Sequence, residues 1–196
     1  AKPQTTRSRL LGILTRPDAQ VVFVDTPGIH EPHTKLGEYM VRVAKEALAD
    51  ADVVLFMVDV SAPPTHEDRQ IASLLGANPD IPTILAMNKA DLVQEEHLQK
   101  LKGLYEGLGS FTESTLLSAT RGDGRDELLQ RIVARLPLGP RYYPADQLTD
   151  QEERFIASEL IREQALKLLE QEVPHALAVV VQEFRERPND VLYISA

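Results

Sequence analysis

Asn88-Lys89-Ala90-Asp91 follows directly on the apolar run Ile84-Leu85-Ala86-Met87. A carboxylate such as Asp91 can accept from both the ring N–H and the exocyclic amine of guanine, a donor pair that adenine does not offer. Sites built on such paired bonds discriminate strongly, because the wrong base leaves a buried carboxylate unpaired. The stem of Lys89 can lie along a base plane, and Asn88 can tie neighbouring loops together. Asn or Asp at a strand-to-helix turn can also act simply as a helix N-cap. The motif has company 63 residues upstream, where Asp25-Thr26-Pro27-Gly28 closes another apolar run. There Asp25 can hold magnesium through water and the Gly28 N–H can reach a terminal phosphate, although Thr26-Pro27-Gly28 could also be only a tight turn. Ser118-Ala119 is uninformative as a dipeptide. It gains meaning from its place after a third run, Ser114-Thr115-Leu116-Leu117, at the next expected strand end.

Something must carry these groups to one rim, and the hydrophobic pattern supplies it. Short apolar runs alternate with amphipathic stretches over the first two thirds of the chain, as expected for β/α alternation around a parallel sheet. Strands are expected at 10–14, 21–24, 53–58, 82–87 and 114–118, and helices at about 36–48, 66–76, 95–107 and 124–135. The unbroken apolar run Val21-Val22-Phe23-Val24 suits burial on both faces. Asp25, Asp59, Asn88 and Ser118 stand where apolar runs stop. Open α/β sheets bind their ligands at such carboxyl ends. Residues 137–150 begin with three prolines in eight residues and read as an extended linker. Beyond it, Ala157, Leu160, Ile161, Ala165, Leu168 and Leu169 share one helix face, and strands are expected at 177–181 and 191–194 around a Pro188-Asn189-Asp190 turn.

Composition narrows the function classes. The 196 residues are 43% hydrophobic and 26% charged, which suits a folded protein with a real core. A net charge of −9 argues against broad binding to a nucleic-acid backbone, DNA included, without forbidding a local basic patch. No apolar run approaches the length that spans a bilayer. Without cysteine there is no disulfide or thiolate chemistry, and the five scattered histidines offer no zinc-ligand spacing. The chain starts at Ala1 without Met and stops inside an expected strand, so truncation at both ends is expected.

Pro3-Gln4-Thr5-Thr6-Arg7, Asp25-Thr26-Pro27-Gly28-Ile29-His30, Asn88-Lys89-Ala90-Asp91 and Ser118-Ala119 together resemble the Era branch of the translation-factor class of GTPases. Tyr143-Pro144 followed by Gln147-Leu148-Thr149-Asp150-Gln151 is similar to that family's linker, and 172–179 to the start of its type II KH domain. The resemblance covers essentially the whole chain. It implies a P-loop NTPase-like, mostly parallel α/β sheet lacking its first strand and P-loop over residues 1–136, a linker at 137–150, and a partial α+β KH-like RNA-binding domain over 151–196. It implies GTP/GDP and Mg2+ as ligands. Asp25, Thr26, Pro27, Gly28, Asn88, Lys89, Asp91, Ser118 and Ala119 would form the nucleotide site, with Thr6 (Thr5 being the weaker candidate) and Asp25 at the metal. Residues 1–9 and 26–40 would be the two switch segments, ordered by the γ-phosphate. The implied role is a GTP-hydrolysing switch in small-ribosomal-subunit assembly, acting through the 3′ end of its rRNA. The implied protein is a cytoplasmic monomer with peripheral association to the inner face of the cell membrane.

The sequence also departs from the wider GTPase pattern. No Gly-x-x-x-x-Gly-Lys-Ser/Thr occurs, so the chain as given is expected to bind GTP poorly and hydrolyse it negligibly, the parent protein doing both. Ile29 stands where many GTPases place a water-orienting Gln, which predicts slow intrinsic hydrolysis and leaves no catalytic residue assignable. The KH signature Gly-x-x-Gly is absent too, and residues 151–196 hold five Lys/Arg against nine Asp/Glu. Two alternatives stay open: a non-catalytic GTPase-like binding module, and another GTPase of the same class with a different appended domain.

Overall fold

The computed structural model describes residues 10–26, 47–168, 178–188 and 191–196. Thr5, Thr6, Pro27, Gly28, Ile29, the larger part of both switch segments and most of the helix expected at 36–48 lie outside them.

Three strands form a parallel sheet: β3 (Val54–Asp59), β4 (Thr83–Asn88) and β5 (Glu113–Leu116), in the order β3-β4-β5. β4 is central, and its apolar run has no period because both faces are covered; Ile84, Leu85, Ala86 and Met87 are fully buried. Leu85 and Met87 join Phe56, Val58, Ala72, Leu98 and Tyr105 on one side. Ile84 and Ala86 join Val21, Leu117, Leu128 and Ile132 on the other. The first cluster takes its helical residues from α1 (His66–Gly76) and α2 (Glu95–Glu106), the second from α3 (Arg125–Val133). α1 starts where Thr65 and Asp68 form a capping box: Asp68 N–H donates to Thr65 Oγ1 at 3.1 Å and Thr65 N–H to Asp68 Oδ2 at 2.8 Å.

Ahead of this sheet, β1 (Leu10–Thr15) and β2 (Gln20–Asp25) form an antiparallel hairpin with Leu10 opposite Asp25 and Thr15 opposite Gln20. Burial of β2 on both faces is not observed. Val21 is buried at 4% exposure, whereas Phe23 is 38% exposed. Positions two apart in a strand share a face, so burial falls away along the face that holds Val21, Phe23 and Asp25 and does not divide by face; an all-apolar run carries no signal of where along its length the packing ends.

Residues 137–150 hold no helix or strand and are bonded to the hairpin. Gln20 Oε1 accepts from the N–H groups of Tyr142 and Tyr143 at 2.9 and 3.0 Å, and Gln20 Nε2 donates to the Tyr143 carbonyl at 2.9 Å. Arg141 donates to the carbonyls of Arg16 and Pro17 at 2.8 and 2.9 Å. Ile13, in mid-β1, donates its N–H to Leu148 O at 2.8 Å.

After residue 150 comes α4 (Glu153–Leu168), then β6 (Glu183–Arg187) and β7 (Val191–Ser195) as an antiparallel pair. The strand expected at 177–181 is displaced: residues 178–182 form no strand, and the polar run Glu183-Phe184-Arg185-Glu186-Arg187 pairs with β7 instead. Register explains the shift. Arg187 pairs with Val191 across the short turn, and an apolar run six or more residues earlier cannot reach that partner.

Candidate functional site

The parallel register sets Asp59 and Asn88 side by side at the carboxyl ends of β3 and β4. Asn88 is not a helix cap. Its side-chain Oδ1 accepts from Lys89 N–H at 2.8 Å and from Ala119 N–H at 2.9 Å, binding the β4 and β5 loops together. The backbone repeats the junction, with Leu117 N–H on Met87 O at 2.9 Å and Ala90 N–H on Leu117 O at 3.1 Å. The loop-tying role expected of Asn88 is therefore present.

Lys89 has φ 65°, the one non-glycine residue with positive φ among those described. That left-handed backbone costs about 1 kcal/mol or more for a side-chain-bearing residue and marks a position worth a functional reading. It turns the chain into the short 3-10 helix Ala90–Leu92, which carries Asp91 on its first turn. The Asp91 carboxylate has no hydrogen-bond or ion-pair partner among the described residues. It borders an open depression of about 220 Å³, shared with Ser118, Arg121 and Gly124 and with the apolar side chains of Leu98 and Leu116.

Ser118 is 2% exposed and anchors the rest of its loop: its N–H donates to Asp123 O at 3.0 Å, and Gly122 N–H donates to its carbonyl at 2.8 Å. Ala119 presents a backbone N–H at this rim, but in this structure that donor is committed to Asn88. A base oxygen at this place would share it or take it over.

Lys89 Nζ contacts Asp59 Oδ2, a neighbour not foreseen for either residue. Burial pushes the Asp59 carboxyl up, but hydrogen bonds from Lys89 and Ser61 outweigh that and hold it below its ordinary 3.8. Asp59 could be seen in the sequence as a polar strand end; its partner could not. Asp25 lies at the exposed end of β2, and Thr26 next to it is half-buried.

The residues present fit a guanine base. They supply an acceptor carboxylate at Asp91, a lysine two residues before it in the chain, and at Ala119 a backbone N–H that the base would share with Asn88, all carried by the ends of β4 and β5. Of the phosphate and metal residues, Asp25 and Thr26 are described while Thr6, Pro27 and Gly28 are not.

A family described as "50S ribosome-binding GTPase" matches residues 1–89. The protein named GTPase Era of Geotalea uraniireducens is 45% identical over 195 residues, covering 100% of this chain and 65% of that protein. GTPase Era of Thermotoga maritima is 46% identical over 199 residues, with the same two coverages. The chain belongs to the Era GTPase family. Among solved structures, Era in complex with MgGDPNP and nucleotides 1506-1542 of 16S ribosomal RNA superposes with a TM-score of 0.86 at 36% identity, over 95% of this chain and 63% of that one. A variant of Aquifex aeolicus Era bound to GDP and AlF4− gives 0.87 at 35% identity, over 97% and 65%. Both matches carry the α/β fold with its parallel sheet over to this Era-family chain. The chain spans 65% of the length of the curated relatives it matches first.

Proposed function

We propose that this Era-family protein is a guanine-nucleotide switch that binds and hydrolyses GTP with Mg2+ and controls an attached RNA-binding domain. In this reading residues 1–136 form the GTPase domain, 137–150 the linker and 151–196 part of a KH-like domain. The observation that carries it is Asp91: an acceptor carboxylate without a partner among the described residues, presented by a strained left-handed turn and bordered by a depression.

The chain's own groups divide the work. Asp91 selects guanine by accepting two donors, Asn88 holds the β4 and β5 loops at a fixed separation, and Ser118-Ala119 offers a backbone donor toward the base oxygen. Asp25 and Thr6 would hold the metal, and Thr26, Pro27 and Gly28 would face the phosphates. Bound magnesium supplies charge neutralisation on the phosphate oxygens during transfer to water. Ile29, an aliphatic side chain, cannot orient that water, so hydrolysis is expected to be slow without assistance.

The relatives named GTPase Era, and the Era structures holding MgGDPNP or GDP with AlF4−, support the nucleotide assignment. The Era complex with 16S ribosomal RNA supports the small subunit and its rRNA as partner. The 50S description belongs to a broader family that matches residues 1–89, and the more similar relatives outweigh it. We extend the reading to a cytoplasmic monomer with peripheral contact to the inner membrane face; no helix among the described residues is long and apolar enough to cross a membrane.

The test is GDP titration of the protein as its gene encodes it. Asp91→Ala is expected to weaken GDP binding roughly a hundredfold or more, in line with sites that lose a specific paired contact, and to erase the preference over ADP. Unchanged GDP affinity would sink the guanine assignment.

A further inference from the structure

The Asp59 side chain is held at both oxygens. Oδ2 meets Lys89 Nζ, while Oδ1 accepts from Ser61 N–H at 3.0 Å and Ser61 Oγ at 2.5 Å. Its backbone is fixed too, because the hydroxyl of Tyr105, itself 1% exposed, donates to the Asp59 carbonyl at 2.8 Å and lies 3.1 Å from that of Ala62. Asp59 is thus a rigid acceptor beside the end of β4, and the ammonium it receives belongs to the lysine whose left-handed backbone launches Asp91. A lysine stem has several rotatable bonds. Left free in water, it would lose their freedom on packing against a base; held beforehand, it loses less.

We propose that Asp59 is a positioning residue for the nucleotide base, holding Lys89 by its ammonium so that the stem stands ready as a wall beside Asp91. The proposal rests on the guanine reading above. Both partners are partly exposed, at 39% for Lys89 and 46% for Asp59, so the effect is modest.

Asp59→Asn separates this role from the turn that Asp59 also stabilises: the amide oxygen still accepts from Ser61, while the anionic acceptor for Lys89 is gone. Measured on the protein as its gene encodes it, with a fluorescent GDP derivative, Asp59→Asn is expected to raise the Kd roughly three- to tenfold, as suits a partly exposed pair, with Tm essentially unchanged. In a Lys89→Ala background it should have no further effect, because both changes act through one stem. Ser61→Ala should stay within about twofold of wild type. Rising salt should draw the wild-type and Asp59→Asn values together, since exposed pairs are screened. A Kd for Asp59→Asn within about twofold of wild type, effects of Asp59→Asn and Lys89→Ala that add, or a gap that salt leaves intact would each overturn the positioning role. If Asp91→Ala weakens binding in those same experiments, the guanine reading stands without it; if Asp91→Ala has no effect, both fall together.

Discussion

At the scale of single residues, Lys89 joins strain to the recognition proposed for it. Its φ of 65° is one that glycine adopts freely and lysine does not. Were the turn needed only to start the 3-10 helix Ala90–Leu92, glycine would serve better. Lys89→Gly relieves the strain but loses the contact with Asp59 and adds freedom to the unfolded chain. These terms nearly cancel, so urea denaturation is expected to show a change below about 1 kcal/mol. GDP affinity, by contrast, is expected to fall about tenfold, a range set by lost base packing and lost pre-organisation. A variant more stable than wild type and equally good at binding GDP would show that the lysine has no part in the site.

Secondary-structure elements set the spacing of the two loops that carry the groups proposed to read the base. β4 and β5 run parallel with Met87 opposite Leu116, and Asn88 Oδ1 then closes the gap to Ala119. Gly124 lets the 118–124 loop return onto β5: its φ is +77°, and a Cβ there would stand 2.5 Å from Leu116 O and 3.2 Å from Leu117 Cα. Neither neighbour is the end of a flexible side chain, so the backbone itself would have to move. Gly124→Ala is expected to destabilise the protein by about 2–3 kcal/mol, combining left-handed strain with overpacking, and to weaken GDP binding as Ser118 and Ala119 shift. Thermal denaturation with and without GDP checks both. Loss of less than about 0.5 kcal/mol, the range of ordinary surface changes, would mean that the loop rearranges freely.

Over the whole molecule, residues 137–150 tie distant parts of the chain together. The β1–β2 hairpin ends on Asp25, and its Gln20 grips the backbone of Tyr142 and Tyr143 more than a hundred residues away. Arg141 and Leu148 add bonds on either side of that grip. Chain that looks extended in sequence is therefore strapped to the strand pair leading to the expected magnesium ligand. Gln20→Ala removes three of these bonds at one position and leaves the core untouched. Limited proteolysis is expected to cut within 138–148 several times faster in this variant, because cleavage follows local opening, with Tm nearly unchanged. Equal cleavage rates would show that Arg141 and Leu148 hold this segment unaided.

The amino-acid sequence alone determined the alternation of strands and helices, the placing of Asp25, Asn88 and Ser118 at or just past strand ends, and the family. Each of these is written locally, in hydrophobic period and in motifs of a few residues, and local order survives without knowing the fold. α1 spans the expected residues, and the other helices of the sheet region differ by a residue or two at their ends. Tertiary structure decided the rest. The contact of Lys89 with Asp59 joins residues 30 apart, the bond of Ala119 to Asn88 spans 31, and the grip of Gln20 on Tyr143 spans 123. The loss of burial along β2 and the polar strand β6 belong to the same class, since neither follows from the apolar pattern of its own segment. Such pairings arise from register and from chain return, which no short stretch of sequence encodes by itself.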